Sequence, residues 1–230
     1  MEVLNIKNLS KRFDDKKIID GVTFSVESGK IVGLLGKNGS GKTTILKMIN
    51  GLLTIDGGTI EIDGMSVSEK SKGVVSYLPE RTYLNGGQTV KQVFDYFEDF
   101  YSDFDRACAE KLLKDLDLEL SSSLSKMSKG MKEKVQLVLV MSRRAKLYIL
   151  DEPLGGVDPS TRDYIMKTIL KNFNEESAML ITTHLVSDVE KILDEVLFID
   201  KGKIILSGDS DELRQKYDAS IDEIFRREVK

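Results

Sequence analysis

The sequence has little of several features that would assign it to a class at once. It contains one cysteine, Cys108, which cannot form a disulfide within the chain, and this suits a protein of a reducing compartment. Its apolar runs are short: "VQLVLVM" at 135–141 falls far below the roughly 20 residues that cross a bilayer as a helix. The first ten residues show no basic segment followed by an apolar one, so we expect no secretory signal.

The charge balance argues against a further class of protein. The formal net charge is −4 and the sequence pI is about 5.3, whereas a protein with a broad nucleic-acid interface is usually basic. We therefore expect no nucleic-acid partner. The composition, with 40% hydrophobic and 31% charged residues, is that of an ordinary globular protein. A chain of 230 residues can build one sizeable core, with or without an inserted subdomain.

Short apolar runs separated by turn residues predict the order of the strands. Residues 1–30 alternate β-like runs with turn signals, which is typical of antiparallel strands. The run "IVGLL" at 31–35 is apolar throughout, as expected of a strand buried on both faces. Three further runs, "LYILDE", "AMLITT" and "EVLFID", alternate with segments of helical spacing. The pattern predicts an α/β fold with a mostly parallel sheet and an antiparallel N-terminal part.

A helical segment interrupts this alternation. Residues 88–139 contain "VKQVFDYFEDFY" and "AEKLLKDLDL", both with helical spacing. We interpret 88–139 as an inserted α-helical subdomain. The core would then comprise 1–87 and 140–208, followed by a helical tail at 209–230. No internal repeat or proline-rich linker divides the chain, so we expect one domain over the whole length.

The stretch "GKNGSGKT", from Gly36 to Thr43, matches the G-x-x-x-x-G-K-[ST] pattern of a phosphate-binding loop. Its glycines allow backbone angles that turn successive N–H groups towards phosphate oxygens. The following helix adds its N-terminal dipole. Lys42 can reach the β- and γ-phosphates, and the Thr43 hydroxyl can ligate Mg²⁺. A chance match is expected on the order of once in a hundred such chains, and the flanking strand and helix supply the right context, so we predict a nucleoside-triphosphate site.

A pair of carboxylates follows a second apolar strand. In "LYILDEP" (147–153), Asp151 and Glu152 end the strand, and ligands of α/β proteins bind at the carboxyl ends of strands. Asp151 is placed to hold Mg²⁺ or its water shell, and Glu152 could polarise an attacking water. A charged strand end is common without any function, but the phosphate loop favours the catalytic interpretation.

With these motifs in this order, the chain resembles the ATP-binding cassette (ABC) ATPases from about residue 3 to residue 208. "GKNGSGKT" resembles their Walker A motif and "LYILDE" their Walker B motif. "KMSKGMKEK" (126–134) lies where the family has its LSGGQ signature, "GGVD" (155–158) resembles the D-loop, and "TTHL" (182–185) resembles the switch-histidine motif. Near the start, "KRFDDKKIIDGVTF" is similar to the segment whose aromatic residue stacks on adenine. The phosphate loop is shared by many NTPases, so the signature and its position carry the specificity.

The resemblance implies roles for individual residues, with ATP and Mg²⁺ as cofactors. Two subunits would face head to tail, so that each ATP lies between the phosphate loop of one chain and the signature of the other. The implied ATP-binding residues are Phe13, Gly36, Lys37, Asn38, Gly39, Ser40, Gly41, Lys42, Thr43 and Thr44. The signature contacts made in the opposite chain are those of Ser128, Lys129 and Gly130, and Asp158 would link the two sites. The implied catalytic residues are Lys42, Glu80, Glu152 and His184, with Thr43, Glu80 and Asp151 as metal ligands.

His184 is the only histidine of the chain. A lone histidine is more often a surface or core residue than a functional one. Its place after the apolar strand "MLITT" favours function here, because a neutral imidazole can both donate and accept hydrogen bonds. Phe13 could likewise be ordinary core packing, although base stacking tolerates phenylalanine.

Two positions depart from the family pattern. Glu80 stands where the family has glutamine; a carboxylate is an adequate Mg²⁺ ligand but cannot donate a hydrogen bond to water while ionised. Placed near Glu152, it is expected to raise the pKa of one of the two and so alter the pH dependence of hydrolysis. The alternative is that Glu80 forms an ion pair with Arg81 or a lysine. The signature carries "SKGMK" in place of "SGGQ", which resembles cassettes that serve exporters of antibiotics, peptides or lipids.

Three functions are compatible with such a chain. The leading one is the ATP-hydrolysing subunit of a transporter, held at the cytoplasmic side of the membrane by separate permease subunits; the signature favours an exporter. The permease subunits would dock near residues 80–92. The second is a soluble ABC ATPase acting on nucleic acid or the ribosome, which the acidic pI and the lack of long insertions disfavour. The third, a regulatory module without turnover, is disfavoured because Glu152 and His184 are both present.

Overall fold

The computed structural model describes residues 1–84, 86–155 and 159–229, with the backbone alone at 159–161. The strands are β1 Glu2–Phe13, β2 Lys16–Glu27, β3 Ile31–Leu35, β4 Gly57–Ile62, β5 Met65–Ser66, β6 Val75–Leu78, β7 Leu147–Asp151, β8 Ala178–Thr183, β9 Glu195–Asp200 and β10 Lys203–Asp209. The helices are α1 Lys42–Ile49, α2 Glu69–Gly73, α3 Val90–Phe100, α4 Arg106–Asp115, α5 Lys129–Met141, α6 Pro159–Asn172, α7 Val186–Val189, α8 Ser210–Tyr217 and α9 Ile221–Glu228, with a short 3-10 turn at Leu124–Lys126.

The described strands form two sheets, as the alternation of the sequence predicts. The antiparallel sheet has the order β2-β1-β4-β5, and the larger sheet has the order β10-β9-β3-β8-β7-β6. In the larger sheet β6, β7, β8, β3 and β9 are parallel, while β10 pairs antiparallel to β9 at the edge. All five residues of β3 and of β7 are buried, which explains why both strands are apolar up to the terminal Asp151 of β7. The expectation of an α/β fold with a mostly parallel sheet and an antiparallel N-terminal sheet is confirmed.

The helical segment begins with a well-defined cap. Thr89 caps α3 by accepting from the N–H of Gln92, whose side chain in turn accepts from the N–H of Thr89, a capping box. The apolar side chains of α3, α4 and α5 join one buried cluster that also reaches β7, α6 and the C-terminal helices. Helix α5 continues to Met141 and is buried from Val135 onwards, so its second half belongs to the core. None of the helices in the described ranges is both long and apolar enough to cross a membrane.

Arg143 anchors the helical segment to the sheet. Its side chain is 3% exposed and binds Asp103 through two hydrogen bonds, from Nε and Nη2, of 2.9 Å each. Nη1 donates to the carbonyl oxygen of Val75 at 2.6 Å, and the guanidinium lies 3.8 Å from the ring centroid of Tyr101. Asp103 lies between α3 and α4, and Val75 begins β6. The buried Arg143 side chain therefore connects the helical segment to the larger sheet.

We expect Arg143→Ala to lower the free energy of unfolding by about 3 kcal/mol, because it leaves a carboxylate and buried carbonyl groups without their donor. Urea denaturation of the nucleotide-free protein measures this change. The neighbouring Arg144 provides the control, since its side chain is 77% exposed and pairs with Asp105 at the surface, and Arg144→Ala should change stability little. Equal losses for the two variants would contradict the anchoring role.

Candidate nucleotide site

Three neighbouring strands bring the predicted motifs to one edge of the larger sheet. β8 lies between β3 and β7, parallel to both, with Leu35 opposite Thr183 and Asp151 opposite Thr182. The phosphate loop follows β3, Asp151 ends β7 with Glu152 directly after it, and His184 follows β8. Because the carboxyl ends of parallel strands meet at the same edge, residues distant in sequence come within hydrogen-bonding distance there.

The loop between β3 and α1 has the shape of an anion cradle. Gly39 and Gly41 have φ angles of 82° and 113°, which residues with a side chain rarely adopt. A Cβ atom on Gly36 would lie 2.5 Å from Ser40 Oγ and 2.6 Å from the carbonyl oxygen of Ile199. The buried Ser40 hydroxyl has no hydrogen-bond partner within the described part of the chain. An unsatisfied buried hydroxyl in such a loop fits a bound phosphate oxygen.

Lys42 is folded back onto its own loop. The side chain is 6% exposed, and Nζ donates to the carbonyl oxygens of Gly36 at 2.6 Å and Lys37 at 3.3 Å. Nζ also lies 3.5 Å from Glu152 Oε1. These contacts satisfy a buried ammonium, and the same three donors are available to phosphate oxygens.

A hydroxyl and a carboxylate beside the loop suit a hard cation. Thr43 Oγ1 lies 3.2 Å from Asp151 Oδ2, and Asp151 is 1% exposed. No three or more His, Cys, Asp or Glu side chains within the described residues are grouped closely enough to hold a metal ion on their own. The oxygen donors fit Mg²⁺, which typically takes one or two protein ligands and completes its shell with phosphates and water.

The acid Glu152 is held by the strand next to it. Its φ angle is 51°, and its N–H donates to the carbonyl oxygen of Thr182 at 3.0 Å. Glu152 Oε1 lies 3.0 Å from His184 Nδ1, and Oε2 accepts from Thr183 Oγ1 at 3.1 Å. With Lys42 on Oε1 as well, both carboxylate oxygens are engaged. The structure thus brings Lys42, Glu152 and His184 together as the sequence predicts.

The pKa of the Asp151 carboxyl is raised above its ordinary value. Burial of the carboxyl is the main cause; hydrogen bonds from Thr182 and Thr43 oppose the shift, and the charges of Glu80 and Glu152 add to it. Asp151 is 1% exposed, and burial of a carboxyl disfavours its charged form.

A cleft of about 990 Å³ lies over these groups. Its lining residues are Phe13, Ile18, Asn38, Gly39, Gly41, Lys42, Thr43, Thr44, Glu80, Arg81, Thr82, Lys129, Glu152, Gly155 and His184. Phe13 ends β1 and is 46% exposed, so its ring is accessible at the cleft. Glu80 is exposed, and it forms no ion pair with the described residues, which does not support the alternative of a salt bridge with Arg81. Lys37 lines a neighbouring cleft of about 400 Å³, shared with His184.

Of the three predicted signature contacts, one lines the cleft and two do not. Lys129 lines the cleft of its own chain, whereas Ser128 and Gly130 are not among the described residues that line it. Ser128 is the N-cap of α5 and accepts from the N–H of Met131 at 3.2 Å. A Cβ atom on Gly130 would have no neighbour within 4 Å, so this backbone is open to an approaching group. Asp158, expected to link two sites, lies outside the described residues.

Sequence reasoning missed Thr182 and Thr183. Thr182 Oγ1 donates to Asp151 Oδ1 at 2.6 Å, and Thr183 Oγ1 donates to Glu152 Oε2 at 3.1 Å. The available signal was two hydroxyl residues at the end of an otherwise apolar strand, "AMLITT". A buried hydroxyl at a strand end needs a partner, and the adjacent strand ends in two acceptors.

The shifted pKa of Asp151 predicts that Asp151→Asn is more stable than the wild type at pH 7 in the presence of a chelator. A carboxyl whose pKa is raised by folding binds its proton more tightly in the folded state, so ionisation at neutral pH costs stability that an amide does not lose. The difference should shrink as the pH falls towards about 4, the ordinary range of aspartate. Chemical denaturation across this range measures it, and a less stable Asn variant at pH 7 would contradict the assigned cause.

Comparison with known proteins identifies the family of the chain. The family model described as ABC transporter matches residues 19–155. The ABC transporter ATP-binding protein YtrB of Bacillus subtilis (strain 168) is 32% identical over 218 residues, covering 94% of this chain and 75% of that protein. The linearmycin resistance ATP-binding protein LnrL of the same organism is 30% identical over 220 residues, covering 92% and 70%. The Nod factor export ATP-binding protein I of Burkholderia orbicola (strain AU 1054) is 32% identical over 213 residues, covering 89% and 70%.

Solved structures show the same architecture. An ATP-binding subunit of an ABC transporter superposes with a TM-score of 0.91 at 29% identity, covering 99% of this chain and 100% of that chain. An ATP-binding cassette of an ABC transporter in its ADP conformation has a TM-score of 0.80 at 24% identity, covering 98% and 99%, which supports the fold alone. The chain therefore belongs to the ABC transporter family, in which it is an ATP-binding subunit.

Proposed function

We propose that this ABC ATPase binds ATP with Mg²⁺ in the cleft and that Glu152 accepts the proton of the water that attacks the γ-phosphate. The observation that carries the proposal is the position of the Glu152 carboxylate, between Lys42 Nζ at 3.5 Å and His184 Nδ1 at 3.0 Å, beside the Thr43–Asp151 pair. A carboxylate beside a phosphate cradle, with a histidine to orient it, fits the general-base role.

In this proposal, different side chains around the cleft bind the phosphates, the adenine and Mg²⁺. The phosphate loop and Lys42 hold the phosphates, and Phe13 is accessible for stacking on adenine. Thr43 and Asp151, with Glu80 as a further oxygen donor, would hold Mg²⁺, which supplies charge neutralisation on the phosphates. The contact of Nδ1 with Glu152 fixes the His184 ring and leaves Nε2 for the γ-phosphate.

The signature supports a site shared by two chains. Gly130 presents open backbone and Ser128 an exposed position at the N-terminus of the 13-residue helix α5, where backbone N–H groups favour an anion. Neither residue lines the cleft described within its own chain. We infer that Ser128 and Gly130 contact the ATP of a second cassette, with Lys129 adding positive charge, and that Asp158 links the two sites.

Transport requires a contact with permease subunits. Residues 80–92 run from the cleft, at Glu80, to the capped start of α3 at Thr89 and Gln92. Tyr83 in this stretch is 48% exposed. A segment that touches the cleft at one end and a helix at the other is suited to transmit closure, and we propose it as the docking surface on the cytoplasmic side of the membrane.

We propose that the direction of transport is export. The relatives include a Nod factor export protein, a linearmycin resistance protein and a probable multidrug transporter protein of Escherichia coli (strain K12), YbhF, 32% identical over 220 residues. The "SKGMK" signature pointed the same way. These relatives are named as transporter subunits or as proteins of export and resistance, which favours transport over action on nucleic acid or the ribosome.

Glu152→Gln tests the chemical step. The variant should lose about 10²- to 10⁴-fold in ATP hydrolysis, the usual contribution of a general base, while binding of ATP persists because the phosphate loop is untouched. Phosphate release and nucleotide affinity measure the two effects separately. The matched control is Glu176→Gln, since that side chain is 87% exposed and distant from the cleft lining. Unchanged hydrolysis in Glu152→Gln would refute the role.

A further inference from the structure

Thr183 lies where three parts of the site meet. It is the last residue of β8 and is 1% exposed. Its carbonyl oxygen accepts a hydrogen bond of 3.4 Å from the N–H of Gly36, at the start of the phosphate loop. Its hydroxyl contacts Glu152 Oε2 at 3.1 Å and the N–H of Leu185, the residue after His184, at 3.0 Å. One buried residue thus contacts the phosphate loop, the acid and the histidine segment.

The direction of the hydroxyl bond follows from its partners. The backbone N–H of Leu185 can only donate, so Thr183 Oγ1 accepts there. An ionised carboxylate can only accept, so the single hydroxyl proton is directed at Glu152 Oε2. A hydrogen bond to an ionised group is stronger than one between neutral groups. With the oxygen held by Leu185, the hydroxyl restricts the rotation of the Glu152 side chain.

We propose that Thr183 is a positioning residue for Glu152: its hydroxyl orients the carboxylate towards the attacking water, while its backbone holds the phosphate loop. A substitution that removes the hydroxyl affects the contact with Glu152 and leaves the backbone contact with the phosphate loop in place. The inference rests on the proposed role of Glu152 as proton acceptor. Thr183 acts through Glu152 and not on the nucleotide.

The adjacent Thr182 provides a comparison with the same chemistry. Its hydroxyl donates to Asp151 Oδ1 at 2.6 Å and accepts from the N–H of Glu152 at 3.3 Å. Consecutive residues of a strand face opposite sides, and Asp151 lies opposite Thr182 in the pairing of β7 with β8. Each threonine therefore holds one of the two acids. Loss of the Thr182 hydroxyl should affect the proposed metal ligand rather than the base.

Thr183→Val removes the hydroxyl, keeps the shape and leaves the backbone contact with Gly36. We expect kcat for ATP hydrolysis to fall about tenfold, the value of one hydrogen bond to a charged group, with KM and the directly measured ATP affinity within about twofold of wild type. Thr183→Ser should restore kcat because it restores the donor. Thr182→Val should show the opposite pattern: weaker binding of ATP in the presence of Mg²⁺, with unchanged binding in EDTA.

A double-mutant cycle separates positioning from a general defect. If Thr183 acts through Glu152, adding Thr183→Val to Glu152→Gln should cause no further loss of the residual rate. The proposal would be overturned if the losses in kcat of the two single variants multiplied in the double variant, or if Thr183→Val left kcat unchanged. It would also be overturned if Thr183→Ser did not restore kcat, or if Thr183→Val lowered kcat and ATP affinity in parallel. If Glu152→Gln itself retained full hydrolysis, the proposed function would fail first, whatever the threonine variants show.

Discussion

The pairing of β8 with β3 on one side and β7 on the other is the constraint on which the site depends. It sets Thr183 opposite Leu35 and Thr182 opposite Asp151, so that the phosphate loop, the two acids and the histidine start from adjacent strand ends. A slip of one residue in either ladder would turn the side chains of the slipped strand to the other face and separate them from their partners. The buried apolar residues of β3 and β7 stabilise the register, and with it the geometry of the site.

The charged side chains beside the phosphate loop are paired with groups that they contact directly. Lys42 is bound by two carbonyl oxygens and faces Glu152, while Glu152 is shared between Lys42, His184 and Thr183. A triphosphate in the loop would compete with those carbonyls for Lys42 and would weaken its contact with Glu152. In our proposal, this ammonium group would therefore couple nucleotide binding to the release of the acid for catalysis.

The sequence predicted those parts of the molecule whose chemistry is local. The phosphate loop is a contiguous motif, and apolar runs such as "IVGLL" and "LYILDE" mark buried strands because burial on both faces leaves no alternation. Contacts between distant segments could not be predicted from the sequence. Nothing in "AMLITT" indicates that its two threonines contact Asp151 and Glu152. The raised pKa of Asp151 likewise follows from burial, which only the assembled sheet defines. The burial of the second half of α5 has the same tertiary cause.

A single cassette contains the phosphate loop, but its Ser128 and Gly130 do not line the cleft, and in our proposal a second chain completes the site. The most direct measurement mixes two variants: Ser128→Arg, which keeps its own phosphate loop, and Lys42→Ala, which keeps its signature. Each alone should be inactive, and the mixture should regain ATP hydrolysis, with a maximum near equal amounts, because one composite site is then intact. Full activity of Ser128→Arg alone, or no recovery on mixing with both proteins folded, would contradict the account.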